Sequence, residues 1–227
     1  MTNSSHRSGE GGWGAARADL ISSGSLEWSV DWLEGSPDVL IAAGIPANPR
    51  RLVRWCDPVG EARVLGSGSA EARLPHDPRD SPRVVRRSGG ATVRVAPHRL
   101  VWADVVLPRS DRLWVDDVGL SSRWLGEVWA AALVDLGVDR AEPFAGPIIR
   151  NRDVCFAGIA PGEVVVDGRK VVGISQRRTR EAALFQCAVM RHPDPDEVAA
   201  VGLAELLAGG TADAAIRTAF ERRLRSV

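Results

Sequence analysis

Of the 29 basic residues in this 227-residue sequence, 28 are arginine and one, Lys170, is lysine. Arginine has been used wherever a positive charge alone is wanted, and tyrosine is absent, which marks a strongly biased genome. An ammonium is compact and mobile where a guanidinium is planar and rigid. A solitary lysine is therefore either what drift left behind or a residue whose task arginine cannot perform. It lies in the segment GRKVVGISQRR, close to Gly173 and Ser175. A lysine on a strand beside small residues can reach into a cleft, although a solvated edge lysine that discourages aggregation would read the same way. A second candidate is the turn Arg86-Arg87-Ser88-Gly89-Gly90. Glycines let a backbone approach a ligand and present N–H donors to anionic oxygens, and adjacent arginines suit a phosphate. A plain β-turn with solvated arginines is the competing description. The third candidate is Cys155, in DVCFAG. A thiolate accepts and donates acyl groups well when nearby cations lower its pKa. Arg150, Arg152 and Lys170 would supply that field, whereas a buried, inert thiol is the alternative. Cys56 and Cys187 sit in apolar runs and read as core.

Other chemistries are poorly supported. The sequence has no GxxxxGK[ST], HExxH, GxSxG or EF-hand loop. A GxGxxG match at Gly9, Gly11 and Gly14 follows no strand and is discarded. His6, His76, His98 and His192 are scattered, so no metal site is expected. Three cysteines without CxxC spacing argue against a disulfide framework or a thiolate zinc site. Zero net charge argues against a nucleic-acid partner. No apolar run approaches the ~18 residues of a membrane span. The polar N-terminus lacks a secretory core, so the cytoplasm is the expected compartment.

These residues need elements to hold them. Residues 1–24 read as a disordered arm and 26–34 as a short helix. Between 38 and 108 the apolar runs 39–43, 51–56, 62–66, 82–87, 91–95 and 100–108 read as strands. Several lie too close for crossover helices, so the sheet must be largely antiparallel. A helix capped by Asp116 or Asp117 carries Trp124, Leu125, Val128, Trp129 and Leu133 on one face and ends at Gly137. Asp167-Gly168 predicts a two-residue hairpin. Strict alternation after it places Lys170 on one face with Val172, Ile174 and Gln176. Residues 182–190 form a further strand. A helix from Asp194 to Gly209 and a last one capped by Thr211 complete the chain. The expected organisation is an arm (1–24), a catalytic domain (25–193) and a helical tail packed on it (194–227).

RRSGGATV at 86–93, a strand, a helix, a hairpin and GRKVVGISQRRTR at 168–180, in that order, resemble the lipoate–protein ligase family. This catalytic domain is shared by lipoate ligases, octanoyltransferases and biotin ligases, and the resemblance covers about residues 50–195. It implies the α+β class, with a mixed, largely antiparallel sheet flanked by helices and an acyl chain held in a groove. It places Arg86, Arg87, Ser88, Gly89 and Gly90 at the acyl-adenylate, with Gly173 and Ser175 in the lysine motif. The family's essential lysine falls on Lys170, where an ammonium would stabilise charge developing during transfer. The implied activity attaches a lipoyl or octanoyl group to a lysine of a carrier domain, through an acyl-adenylate made with ATP and Mg²⁺. The implied acceptors are lipoyl domains of 2-oxoacid dehydrogenases or the H-type carrier of glycine cleavage, with an accessory subunit as a further partner. Cys155 resembles the Cys-Phe segment of one octanoyltransferase branch, which would take octanoyl from acyl carrier protein without ATP. The turn has two glycines where many members have three, and no His-Asp pair follows it. A non-catalytic paralogue that binds the acyl group or its carrier is therefore a third reading. The GRGR pattern of biotin ligases is absent, and a short tail follows the core where many lipoate ligases carry a further domain.

Overall fold

The computed structural model describes residues 27–69, 71–75, 80–150, 155–194, 197, 199–207 and 212–227. The expected arm with its glycine pattern, His76, Arg152 and Thr211 lie outside these residues. Seven strands form one sheet. In spatial order they are β1 (Ser29–Gly35), β2 (Leu52–Pro58), β6 (Leu100–Pro108), β10 (Ala182–Met190), β9 (Arg169–Arg178), β8 (Val164–Val166) and β7 (Glu142–Pro143). A three-stranded sheet has the order β4 (Arg83–Val85), β3 (Ala62–Leu65) and β5 (Val93–Val95). The helices are α1 (Pro37–Ala43), α2 (Arg123–Asp135), α3 (Leu203–Leu206) and α4 (Asp213–Leu224). The pairs β1–β2 and β3–β4 are parallel and the remaining pairs antiparallel. This is the expected α+β class. Among the described residues no helix is long and apolar enough to cross a membrane.

The large sheet is buried on both faces, and β6 shows why. Its Val101, Ala103, Val105 and Leu107 enter a core with α2 and α4. The alternate Leu100 and Trp102 enter a second core with α1, β3 and β5, as the period of two requires. On the first face Phe220 of α4 stacks on Trp129 of α2 at 3.9 Å between ring centroids, and both rings meet Trp55 of β2 edge-on. The second face, roofed by the small sheet, carries the candidate site.

The structure corrects four expectations. The segment expected to be helical at 26–34 is instead β1, the parallel edge of the sheet. Residues 39–43 belong to helix α1, because Pro37 at its first turn and Asp38 behind it start a helix. Asp116 and Asp117 do not cap α2. Asp117 accepts the N–H of Gly119 in its own turn, and the helix starts after Ser122. In the tail, residues 199–201 do not form a helix. Lys170 N–H donates to Ala199 O, and Val201 N–H donates to Lys170 O. Among the described residues, only the short α3 remains of that expected helix.

Candidate active site

The hairpin between β8 and β9 turns at Asp167 and Gly168, both at positive φ (51° and 75°), as a two-residue turn of this type demands. Beyond it the alternation breaks. Val165 pairs with Lys170 but Val164 pairs with Val172, which leaves Val171 as a bulge. Val171 and Val172 both enter the core beside α2. Lys170 is thereby turned to the opposite face, where its Cε lies 3.6 Å from the position a Cβ on Gly173 would take. The expectation that Lys170 shares a face with Val172, Ile174 and Gln176 is corrected: it shares the face of Gly173 and Ser175.

Lys170 is 1% exposed. Its Nζ donates to Gly158 O at 2.7 Å and lies 3.0 Å from both carboxylate oxygens of Glu163. It also sits 5.0 Å from the centre of the Phe156 ring. Glu163 is itself fixed by the N–H groups of Ala160 (2.8 Å) and Ile174 (3.1 Å). A buried ion pair persists only with such additional bonds. Lys170 and Glu163 line a cleft of about 1080 Å³ with Gly89, Gly90, Ile159 and Ser175. Behind it lies a tight apolar pocket of about 50 Å³, walled by Val64, Val93, Trp102, Phe156, Gly173 and Ser175.

The glycine turn borders the cleft through Gly89 and Gly90, and Arg86 at its start lines the pocket. A Cβ on Gly66 would lie 1.8 Å from Gly90 O, so only glycine admits that close approach. The turn's residues divide by role. Arg86 is buried, and its guanidinium donates to Gly89 O (2.8 and 3.1 Å) and Ala91 O (3.0 Å), so it builds the turn. Free pairing of Arg86 with a phosphate is corrected on that ground. Arg87 faces away from the cleft into a separate cavity with Arg177. Ser88 is buried; its hydroxyl donates to Gln186 Oε1 at 2.6 Å and accepts from Ser175 Oγ at 3.2 Å. Gly89 and Gly90 face the cleft. Cys155 opens a 3-10 turn, Cys155–Ala157, and its side chain lies outside the described residues. Cys56 and Cys187 are buried, and burial holds both thiols above their usual pKa, Cys187 at about 12.

Sequence reasoning missed Glu163 and a polar row under the pocket. Glu163 precedes a hairpin whose register returns Lys170 beside it, which was the available signal. The row crosses the sheet as Ser175, Gln186 and Asp104, paired strand to strand. Asp104 is fully buried. It accepts from Trp102 Nε1 at 2.8 Å and lies 3.4 Å from Gln186 Nε2, while its second carboxylate oxygen has no hydrogen-bond partner among the described residues. Burial pushes its pKa up to about 6 against these bonds. Among the described residues no group of three or more His, Cys, Asp or Glu is placed to hold a metal ion.

Residues 76–205 match the family model described as the lipoyl protein ligase A/B catalytic domain. Among solved structures, a T. acidophilum protein with bound lipoic acid superposes with a TM-score of 0.68 at 18% identity, covering 88% of this chain and 86% of that one. A lipoate-protein ligase A bound with ATP gives 0.67 at 16% identity, covering 88% and 85%. A bipartite lipoate protein ligase from the archaeon Thermoplasma acidophilum, studied with its E2 lipoyl domain, gives 0.63 at 15%, covering 88% and 83%. At these identities the likeness is one of fold. A search of curated proteins returns no match.

Proposed function

The chain belongs to the lipoyl protein ligase A/B catalytic domain family, and from that premise we propose that it is a cytoplasmic lipoate–protein ligase. It joins lipoate or octanoate to a lysine of a lipoyl carrier domain through an acyl-adenylate, consuming ATP. The observation that carries this reading is the buried Lys170–Glu163 pair, set where the apolar pocket opens into the glycine-turn cleft. The pocket takes the acyl chain and the cleft takes the polar end. The fixed ammonium then faces the acyl carbonyl and the departing adenylate oxygen, where negative charge develops. Glu163 keeps Lys170 in place, so no reorganisation is needed during transfer. Gly89, with nothing within 4 Å of the position a Cβ would take, offers an open backbone to the nucleotide beside Gly90. The described acids on the cleft, Glu71 and Glu163, are paired with Arg63 and Lys170. Mg²⁺ would accordingly be carried by the nucleotide phosphates, its usual anchor. The bipartite archaeal ligase supports an accessory subunit here, and the E2 lipoyl domain studied with it supports a 2-oxoacid dehydrogenase acceptor; an H-type carrier is the other candidate.

A second reading, a cysteine-dependent octanoyltransferase fed by acyl carrier protein, is favoured by one observation. Cys155 immediately precedes Phe156, whose ring packs beside the Lys170 ammonium. Mass spectrometry of the purified protein separates the two. Offered lipoate, ATP and a lipoyl-domain acceptor, the ligase adds one lipoyl mass to the acceptor. Offered octanoyl carrier protein without ATP, the transferase gains one octanoyl mass, removable by hydroxylamine, and Cys155→Ser loses it. Neither product, with acyl ligand still bound, would leave a binding-only paralogue.

A further inference from the structure

The acyl pocket ends at a thin partition with a second cavity behind it. After the bulge, Gly173, Ser175 and Arg177 follow one another along one face of β9, and their partners on β10 are Ala188, Gln186 and Leu184. Gly173 and Ala188 line the apolar pocket, as do Ser175 and Gln186. Gln186 also lines a second cavity of about 340 Å³, with Leu184, Arg177, Arg87, Ser88 and Ile41. Gln186 and Ile41 are thus the partition between the two spaces, and the hydrogen bond from Ser88 to Gln186 holds the partition shut. From Gly173, beside which the Lys170 side chain ends, to Gln186 is ~8 Å by strand rise and strand spacing. That is about the reach of an eight-carbon chain. From Gly173 to Arg177 is ~13 Å.

The far cavity is chemically unlike the pocket. Arg87 and Arg177 line it and make no hydrogen bond or ion pair among the described residues, and Asp38 is its one acidic residue. A purely apolar chain crossing Gln186 would meet Ile41, Val84, Val85 and Leu184 but leave both guanidiniums without a partner. A chain ending in a carboxylate would meet a free, half-buried guanidinium in the geometry that guanidinium fits best. We propose that the acyl groove continues past Gln186, and that its substrates include acyl chains longer than eight carbons with a terminal carboxylate, paired with Arg177. This inference rests on the ligase reading of the same site.

Calorimetric titration of the full chain with octanoate, dodecanoate and dodecanedioate tests it. Dodecanedioate binds about tenfold more tightly than dodecanoate, the value of one good charge-assisted pair. Arg177→Gln removes that preference, while octanoate, which reaches no further than Gln186, keeps its Kd. Octanoate binding with no preference for the diacid, or a preference that survives R177Q, overturns this inference and leaves the ligase reading standing. Failure of all three acids to bind overturns both.

Discussion

Lys170 owes its chemistry to its burial partners more than to its charge. The ammonium fits between Glu163, Gly158 O and the Phe156 ring. A guanidinium there would be wider, and its plane would collide with the ring or release Glu163. Lys170→Arg is expected to lower transfer at least ~100-fold and to cost about 1–3 kcal/mol of stability through overpacking. Single-turnover transfer and urea unfolding measure the two separately, and near-normal transfer would remove Lys170 from the mechanism. Glu163→Gln leaves a buried ammonium without its counter-charge and should cost about 3–5 kcal/mol. Asp104 gives a different signature. Its folded pKa of about 6 lies above the ordinary carboxylate value of 3.8, with burial the largest cause. Between those values the folded state holds a proton that the unfolded state has released, so Asp104 makes stability fall as pH rises through that window. Asp104→Asn should flatten this slope, by up to about 3 kcal/mol between its ends. Urea midpoints at pH 4 and pH 7 for both proteins decide it, and equal slopes would place the titration elsewhere.

Elements with strong periodicity, the helix face of α2 and the uninterrupted runs of β6 and β10, were legible in the sequence because local pattern and tertiary burial agree there. The failures lie where tertiary partners override local signals. Residues 199–201 have helical composition but are captured by the backbone of Lys170. The run 39–43 has strand-like content, but Pro37 starts a helix before it. At the site, the turn and the lysine could be singled out as residue types, whereas the face of Lys170 could not. One bulged residue reverses it, and no composition rule announces a bulge. Glu163 lies two residues before Val165, the strand partner of Lys170 ahead of the bulge, so the hairpin register alone brings the two side chains to one face. Helix α4 follows its own pattern: Ile216, Phe220 and Leu224 are buried at a spacing of four, against α2 and β2. Phe220→Ala removes a ring stacked on Trp129 and edge-on to Trp55. It should cost about 3–5 kcal/mol while leaving transfer by the remaining folded protein unchanged, since the ring lies on the face opposite Lys170. Unfolding curves set beside activity per folded molecule test this, and a loss of transfer larger than the loss of folded protein would tie α4 to the site.

On the scale of the whole molecule, the site is a seam between two sheets. The seven-stranded sheet supplies Lys170, Gly173, Ser175 and Gln186, and the segment joining β4 to β5 supplies Ser88, Gly89 and Gly90. The gap between the layers is only about 50 Å³, room for a few water molecules, so the proposed acyl chain would enter only if the layers part. The large sheet resists, with both faces buried and ladders continuous from β2 to β9. The small sheet has three short strands, one of which, β4, is largely unburied. Its polar ties to the large sheet at the turn run through the Ser88 hydroxyl to Gln186 and Ser175. The less protected layer should therefore be the one that moves. Hydrogen exchange with and without octanoate is expected to show slowed exchange at residues 62–65 and 83–95, as the filled pocket fixes the turn, with residues 100–108 and 182–190 protected equally in both states. Protection confined to the large sheet would mean that the pocket opens from the other side. Unchanged exchange throughout, with binding confirmed separately, would mean that the chain lies in the open cleft and never enters the seam.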